Sequence, residues 1–211
     1  RQGDKRYILA GYPWFKCRAR DMFVSLPGLT LAIEENSVFD EIMNTAREAI
    51  YEYIEDRPST CKISEMEQPD VLLWAIWALQ QYAKMLSREQ CRDKYGKLIE
   101  DIIEYIRNGK HVNLFLHDNG LLYTNGIERP VTWMNSTVNG RPVIPRTGYI
   151  VEINALWYNA LKFTADLVRE GGNPTYADTL DALAATAGNS FVEVFLNEHG
   201  YLFDYVDGTM V

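Results

Sequence analysis

An all-α fold of helix pairs packed in two layers is the class this sequence predicts, on three observations. Apolar residues recur at helical spacing in six segments that cover most of the chain. Segments that are apolar on nearly every side alternate with amphipathic ones, as inner and outer layers require. No composition break marks a second domain, so residues 1–211 read as one helical domain. Layered pairs of this kind build either an open solenoid or a closed toroid. No repeat of fixed period is visible, which counts against a regular solenoid, and six helices are too few to close a large ring. The chain opens Arg-Gln-Gly-Asp without a methionine and stops at Met210-Val211, so it is expected to be a segment of something longer.

The first segment spans 21–33, with Pro27 and Gly28 expected to distort it. Ser37, with Asp40 three residues on, resembles a capping box opening the second, whose stripe is Ile42, Ala46, Ala49, Ile50 and Tyr53. The third, 69–86, contains VLLWAIWALQQYA and is expected to be buried all round. Ser87 with Gln90 opens a fourth, where Leu98, Ile99, Ile102, Ile103 and Ile106 form one dry face before Asn108-Gly109 stops it. Over 110–149 the pattern changes to short extended pieces with turns at Asn119-Gly120, Asn125-Gly126 and Asn139-Gly140, a long shaped loop region. A fifth helix is expected over 151–170, ended by Gly171-Gly172. A sixth starts at Asn173 and Pro174, with Leu180, Leu183, Ala187, Phe191 and Val194 on one face. The tail, from Gly200 to Gly208, reads as another short extended turn.

Charge and composition exclude several function classes. Lys+Arg 21 against Asp+Glu 29 gives a net charge of -8, so the basic footprint of a nucleic-acid binder is missing. The longest apolar run, 71–79, is far short of the roughly 20 residues that span a bilayer, and no membrane partner is expected. Cys17, Cys61 and Cys91 form neither a disulfide framework nor a metal knuckle, and His111, His117 and His199 are scattered. A reducing, cytoplasmic setting is the expectation, with no metal and no cofactor.

Groups able to do chemistry concentrate in two loop regions. One is Gly11-Tyr12-Pro13-Trp14-Phe15 followed by Arg18-Ala19-Arg20-Asp21; the other holds Thr132-Trp133-Met134-Asn135, Pro145-Arg146 and the stretch from Glu152 through Asn154 to Tyr158. Aromatic faces beside carboxylates and arginines suit sugars, because a pyranose stacks its apolar face on a ring while its hydroxyls need donors and acceptors. Structural readings stand beside this one. Trp74 and Trp77 sit in an apolar helix and read as core, and Glu152 in a first helical turn is favoured by the helix dipole whatever its role. Arg20-Asp21 equally suits a solvated helix start, and Glu100, Asp101 and Glu104 belong to a wet face.

AGYPWFKCRARDMFVSLPGLTL at 10–31 and TWMNSTVNGRPVIPRTGYIVEINALWYNAL at 132–161 resemble the C-terminal amylo-α-1,6-glucosidase domain of glycogen debranching enzymes. PDVLLW at 69–74 and HDNGLLY at 117–123 fall where that family has comparable segments, so the resemblance covers essentially the whole chain. It implies an (α/α)6 toroid of the glucoamylase-like type, of which six helices make about half. It also implies hydrolysis of the α-1,6-linked glucose at the branch points of glycogen or limit dextrin, with inversion. Inversion needs a protonated carboxyl and a second carboxylate to activate water, roughly 6.5–9.5 Å apart.

The chain departs from the family pattern at two places. Where the family reads Thr-Trp-Met-Asp, with the aspartate as general acid, this chain has Asn135. Asn135 is open to three readings: a natural variant whose acid comes from elsewhere, an inactivating replacement, or the mark of a branch that only binds glucan. Glu152 is the candidate substitute acid, and the general base is expected beyond position 211. Where the family commonly has Trp-Gly-Arg-Asp, Arg18 replaces the tryptophan, and Arg20 and Asp21 are retained for contacts to glucose hydroxyls. Asp70, Trp133, Arg146 and Asn154 are carried over as pocket lining and Trp14 as its wall. Three functions are therefore carried: a glucan hydrolase, a non-catalytic glucan-binding module, and a helical scaffold for protein partners. An open-edged half ring is further expected to self-associate.

Overall fold

The computed structural model describes residues 4–207. Its first helix, α1 (Ala19–Leu29), carries Pro27 in its last turn and ends two residues later; Thr30 Oγ donates back to the Leu26 carbonyl at 2.6 Å, and a 3-10 turn (Leu31–Ile33) follows. The distortion expected at Pro27 thus divides the 21–33 segment in two. α2 (Asn36–Ile54) buries Ile42, Ala46, Ala49 and Ile50. Ser37 does not cap it, because the helix starts one residue earlier. The Asp40 carboxylate instead accepts from Tyr95 at 2.5 Å and from Lys94 at 2.6 Å, both on the fourth helix.

α3 (Val71–Met85) is apolar but not buried all round. Trp74, Trp77 and Gln81 are half-exposed along one face, and the two indoles meet edge to face at 5.4 Å. α4 (Arg88–Arg107) is capped by Ser87, whose hydroxyl accepts from Gln90 N at 3.3 Å. Its buried face contains Leu98, Ile99, Ile102, Ile103 and Ile106, each contributing about 1.5–3 kcal/mol relative to exposure. α5 (Val151–Glu170) and α6 (Pro174–Phe195) form a hairpin, with Asn173 accepting from Tyr176 N at 3.2 Å as the cap of α6. α3 packs between α1 and α5; α4 covers α3 and α5, while α2 lies on α4 and α6 on α5. The odd-numbered helices therefore form one layer and the even-numbered helices the other.

The described residues are mostly helical, as expected of an all-α fold, and the extended pieces of the 110–149 region join with the tail in a small sheet. β1 (Cys17–Arg18) pairs in parallel with β2 (Ile63–Ser64). β3 (Phe115–Leu116), β4 (Leu122–Thr124), β7 (Gly148–Ile150) and β8 (Tyr205–Val206) form a four-stranded antiparallel sheet. β5 (Thr137–Val138) and β6 (Arg141–Pro142) are a hairpin turned by Asn139 and Gly140, both at positive φ. Asn119-Gly120 turns between β3 and β4 as expected. Asn125-Gly126 closes no hairpin: an added Cβ at Gly126 would lie 2.0 Å from the Arg146 carbonyl oxygen, so glycine is needed there for close passage. The tail joins the sheet as β8, and Gly208 lies outside the described residues. No helix of the described residues is long and apolar enough to cross a membrane.

His111 is buried against the rings of Tyr53 and Tyr105, and burial pushes its imidazole pKa down to about 4. Nδ1 accepts from Asn113 N at 3.0 Å, which puts the proton of the neutral ring on Nε2. The folded pKa lies below the unfolded value of about 6.5, so the unfolded chain binds the extra proton first as pH falls. The stability conferred by neutral His111 is therefore complete above about pH 6.5 and is lost on acidification towards pH 4, by about 3 kcal/mol. Urea unfolding of wild type and His111→Gln over that range should show the wild type falling more steeply by this amount. Parallel pH profiles would refute it.

Candidate functional site

Three helices of one layer begin at the same cleft. Arg20 and Asp21 lie in the first turn of α1, Asp70 immediately precedes α3 with Trp74 one turn inside it, and Glu152 lies in the first turn of α5. All five line a cavity of about 630 Å³, with Trp133 from the loop after β4 and Leu9 and Val24 as apolar wall. Sharing this end makes α1, α3 and α5 parallel, with three positive helix ends beside the carboxylates.

Two of the carboxylates are held by arginine forks. Asp70, 1% exposed, accepts from Arg20 Nε at 2.7 Å and from Nη2 at 2.8 Å. The Trp74 indole N–H donates to the same carboxylate at 3.1 Å, which fixes the ring at the cleft wall. Glu152 accepts from Arg146 Nη1 at 2.6 Å and Nη2 at 2.7 Å. Burial pushes the Glu152 carboxyl up more than any other single cause, but the hydrogen bonds from Arg146, the backbone and Thr132, together with the arginine's charge, outweigh it and hold the group below the usual glutamate range. Asp21 differs from both: it is exposed, and its carboxylate has no hydrogen-bond partner among the described residues.

The structure thus brings Arg20, Asp21, Asp70, Trp133 and Glu152 together from three separate stretches of the chain. Four other residues named from the sequence lie off the cleft wall. Trp14 is 82% exposed at the tip of a turn that folds on itself through Phe15 N and the Gly11 carbonyl. Asn154 is buried and spends its amide on the backbone of Leu122 and Ile150, so it fastens β4 to α5. Arg146 is buried behind Glu152. Asn135 is exposed two residues from Trp133, and its side chain makes no hydrogen bond among the described residues. The arginine fork on Glu152 favours its ionised form, the opposite of what a proton donor needs.

Trp74, read from the sequence as core, packs half-buried against the core and also lines the cleft, a role the sequence reading missed. Its signal was a tryptophan four positions after an aspartate at a helix start, which puts indole N–H and carboxylate on one face. Arg18, at the place of the family's tryptophan, forms a fork with Glu65, with Nη2 to Oε1 at 2.7 Å. Elsewhere, Glu48, Glu52 and Cys61 bring potential ligand atoms within 4.8 Å of one another. Lys5 already supplies a cation there, its ammonium 2.9 Å from Glu48 and 3.3 Å from the Cys61 sulfur.

Helices of one layer that open on an acidic, aromatic cleft define a layered, mostly helical domain with a cavity at the start of α1, α3 and α5. Residues 2–210 match the amylo-alpha-1,6-glucosidase family, and the chain belongs to that family. No curated protein and no solved structure matches it.

Proposed function

We propose that this chain is the first half of a debranching glucosidase domain whose cleft receives a terminal glucose of a branched α-glucan. The observation that carries the reading is the convergence of Arg20, Asp21 and Asp70 with Trp133 and Glu152 on one cavity. Its size suits a sugar ring, the Trp74 and Trp133 rings suit the apolar face, and the arginines and carboxylates suit hydroxyls. Three parallel helix starts in one layer support half of an (α/α)6 ring, closed by helices beyond residue 211 that would supply the general base of an inverting hydrolysis. A cytoplasmic setting, with neither nucleic acid nor membrane as partner, accompanies this reading. Exposed Tyr158, Val192 and Leu196 on α5, on α6 and just after it support self-association of the isolated half.

A second reading, a glucan-binding module without catalysis, is favoured by Asn135 together with the ionised Glu152. An amide carries no proton acidic enough for the leaving oxygen, and a positioned general acid contributes about 10²–10⁴-fold. Asn135→Asp in the intact parent protein is therefore expected to raise glucose release from limit dextrin by about that factor. Equal rates would remove position 135 from the chemistry. Calorimetry with maltotetraose tests the cleft itself: saturable binding abolished by Asp21→Ala is the expected result, and its absence would leave the helical scaffold reading.

A further inference from the structure

We propose that Arg146 is the positioning residue of the cleft, coupling the chain's tail to the wall that carries Trp133 and Glu152. This rests on the glucan reading only for its ligand. Arg146 is 2% exposed and reaches three separate stretches of chain. Its Nη1 donates to Thr132 Oγ at 2.8 Å and to Glu152, and its Nη2 donates to Glu152 and to the Asp204 carboxylate at 2.7 Å. The Asp204 carbonyl accepts from Arg146 at 3.2 Å and from Val151 N at 3.1 Å, so the tail is fastened directly at the start of α5.

The consequence for the cleft is geometric. Thr132 is 1% exposed and fixed by Arg146, while its neighbour Trp133 is 65% exposed and forms the wall. The guanidinium therefore sets the base from which that ring projects. A planar fork with five donors can serve a carboxylate bidentately and still reach a hydroxyl and a second acid, which an ammonium cannot reproduce. Asp204, with a half-exposed carboxylate, is the most solvent-exposed partner of Arg146 in this arrangement.

The test compares wild type, Arg146→Lys, Arg146→Met and Asp204→Asn, with 5-fluorotryptophan at position 133 and carbon-13 at the Glu152 carboxyl. Asp204→Asn keeps the side chain's shape and an acceptor oxygen while removing a half-exposed charge from Arg146, and is expected to fold. It should shift the Trp133 fluorine resonance and weaken maltotetraose binding two- to fivefold. Arg146→Lys should weaken binding at least tenfold and move the Glu152 titration upward, with Arg146→Met moving it further. Unchanged fluorine resonance and Glu152 titration in Asp204→Asn and Arg146→Lys would overturn the proposal. If wild type fails to bind maltotetraose, the glucan reading falls, and the two spectroscopic readouts still decide the role of Arg146. If the Arg146 variants fail to fold, the Asp204→Asn resonance decides it.

Discussion

Asp70→Ala is expected to lose about 3–5 kcal/mol of folding stability, because it breaks a buried ion pair by deleting one partner. Arg20 is 8% exposed and both of its bonds to Asp70 are short, so its charge would be left buried without a counterpart. The Trp74 N–H loses its acceptor at the same time. A domain of this kind has about 5–15 kcal/mol in total, so the loss is a large fraction of its margin. Urea unfolding measures it, and a change below about 1 kcal/mol would refute the argument. Arg20→Met with Asp70→Leu should be much milder, since no lone charge remains. Sugar binding should vanish in both, which separates the fold's need for the pair from the cleft's.

Gly148→Ala should cost on the order of 4 kcal/mol or more, the range reached by few single substitutions. Gly148 has φ +116, and an added Cβ would lie 2.1 Å from the Val206 carbonyl oxygen. Both obstacles are backbone, so neither yields to a rotamer change. The least costly response is release of β8 from β7, which also takes Asp204 away from Arg146. Hydrogen exchange should therefore show residues 201–207 losing protection before the α3–α4 core. Uniform loss across the chain would contradict that order, and native protection of the tail would contradict the clash.

The helices were legible because each has a periodic apolar face long enough to count, and the Ser87 and Asn173 caps because their partners lie three residues away. Ser37 misled because the groups that engage Asp40, Lys94 and Tyr95, come from another helix. The extended pieces of 110–149 and the tail were legible, but their pairing into a sheet was not, because strands of two or three residues are too short for alternation to show. At the cleft, residue identity was legible and depth was not. Arg146, Glu152 and Asn154 are neighbours in sequence, yet one holds, one faces the cavity and one is tied to the backbone. Only the packing of the tail and β4 against α5 decides which does what.

The contacts that make the cleft join partners 50 positions apart for Arg20 and Asp70, and 58 apart for Arg146 and Asp204. Helical hairpins such as α5–α6 close over short loops, whereas these pairs require long stretches of chain to be brought together first, against a larger loss of chain entropy. Binding competence should consequently be acquired after the helices during refolding, and a chain cut before Asp204 would lack it even with α1 to α6 in place.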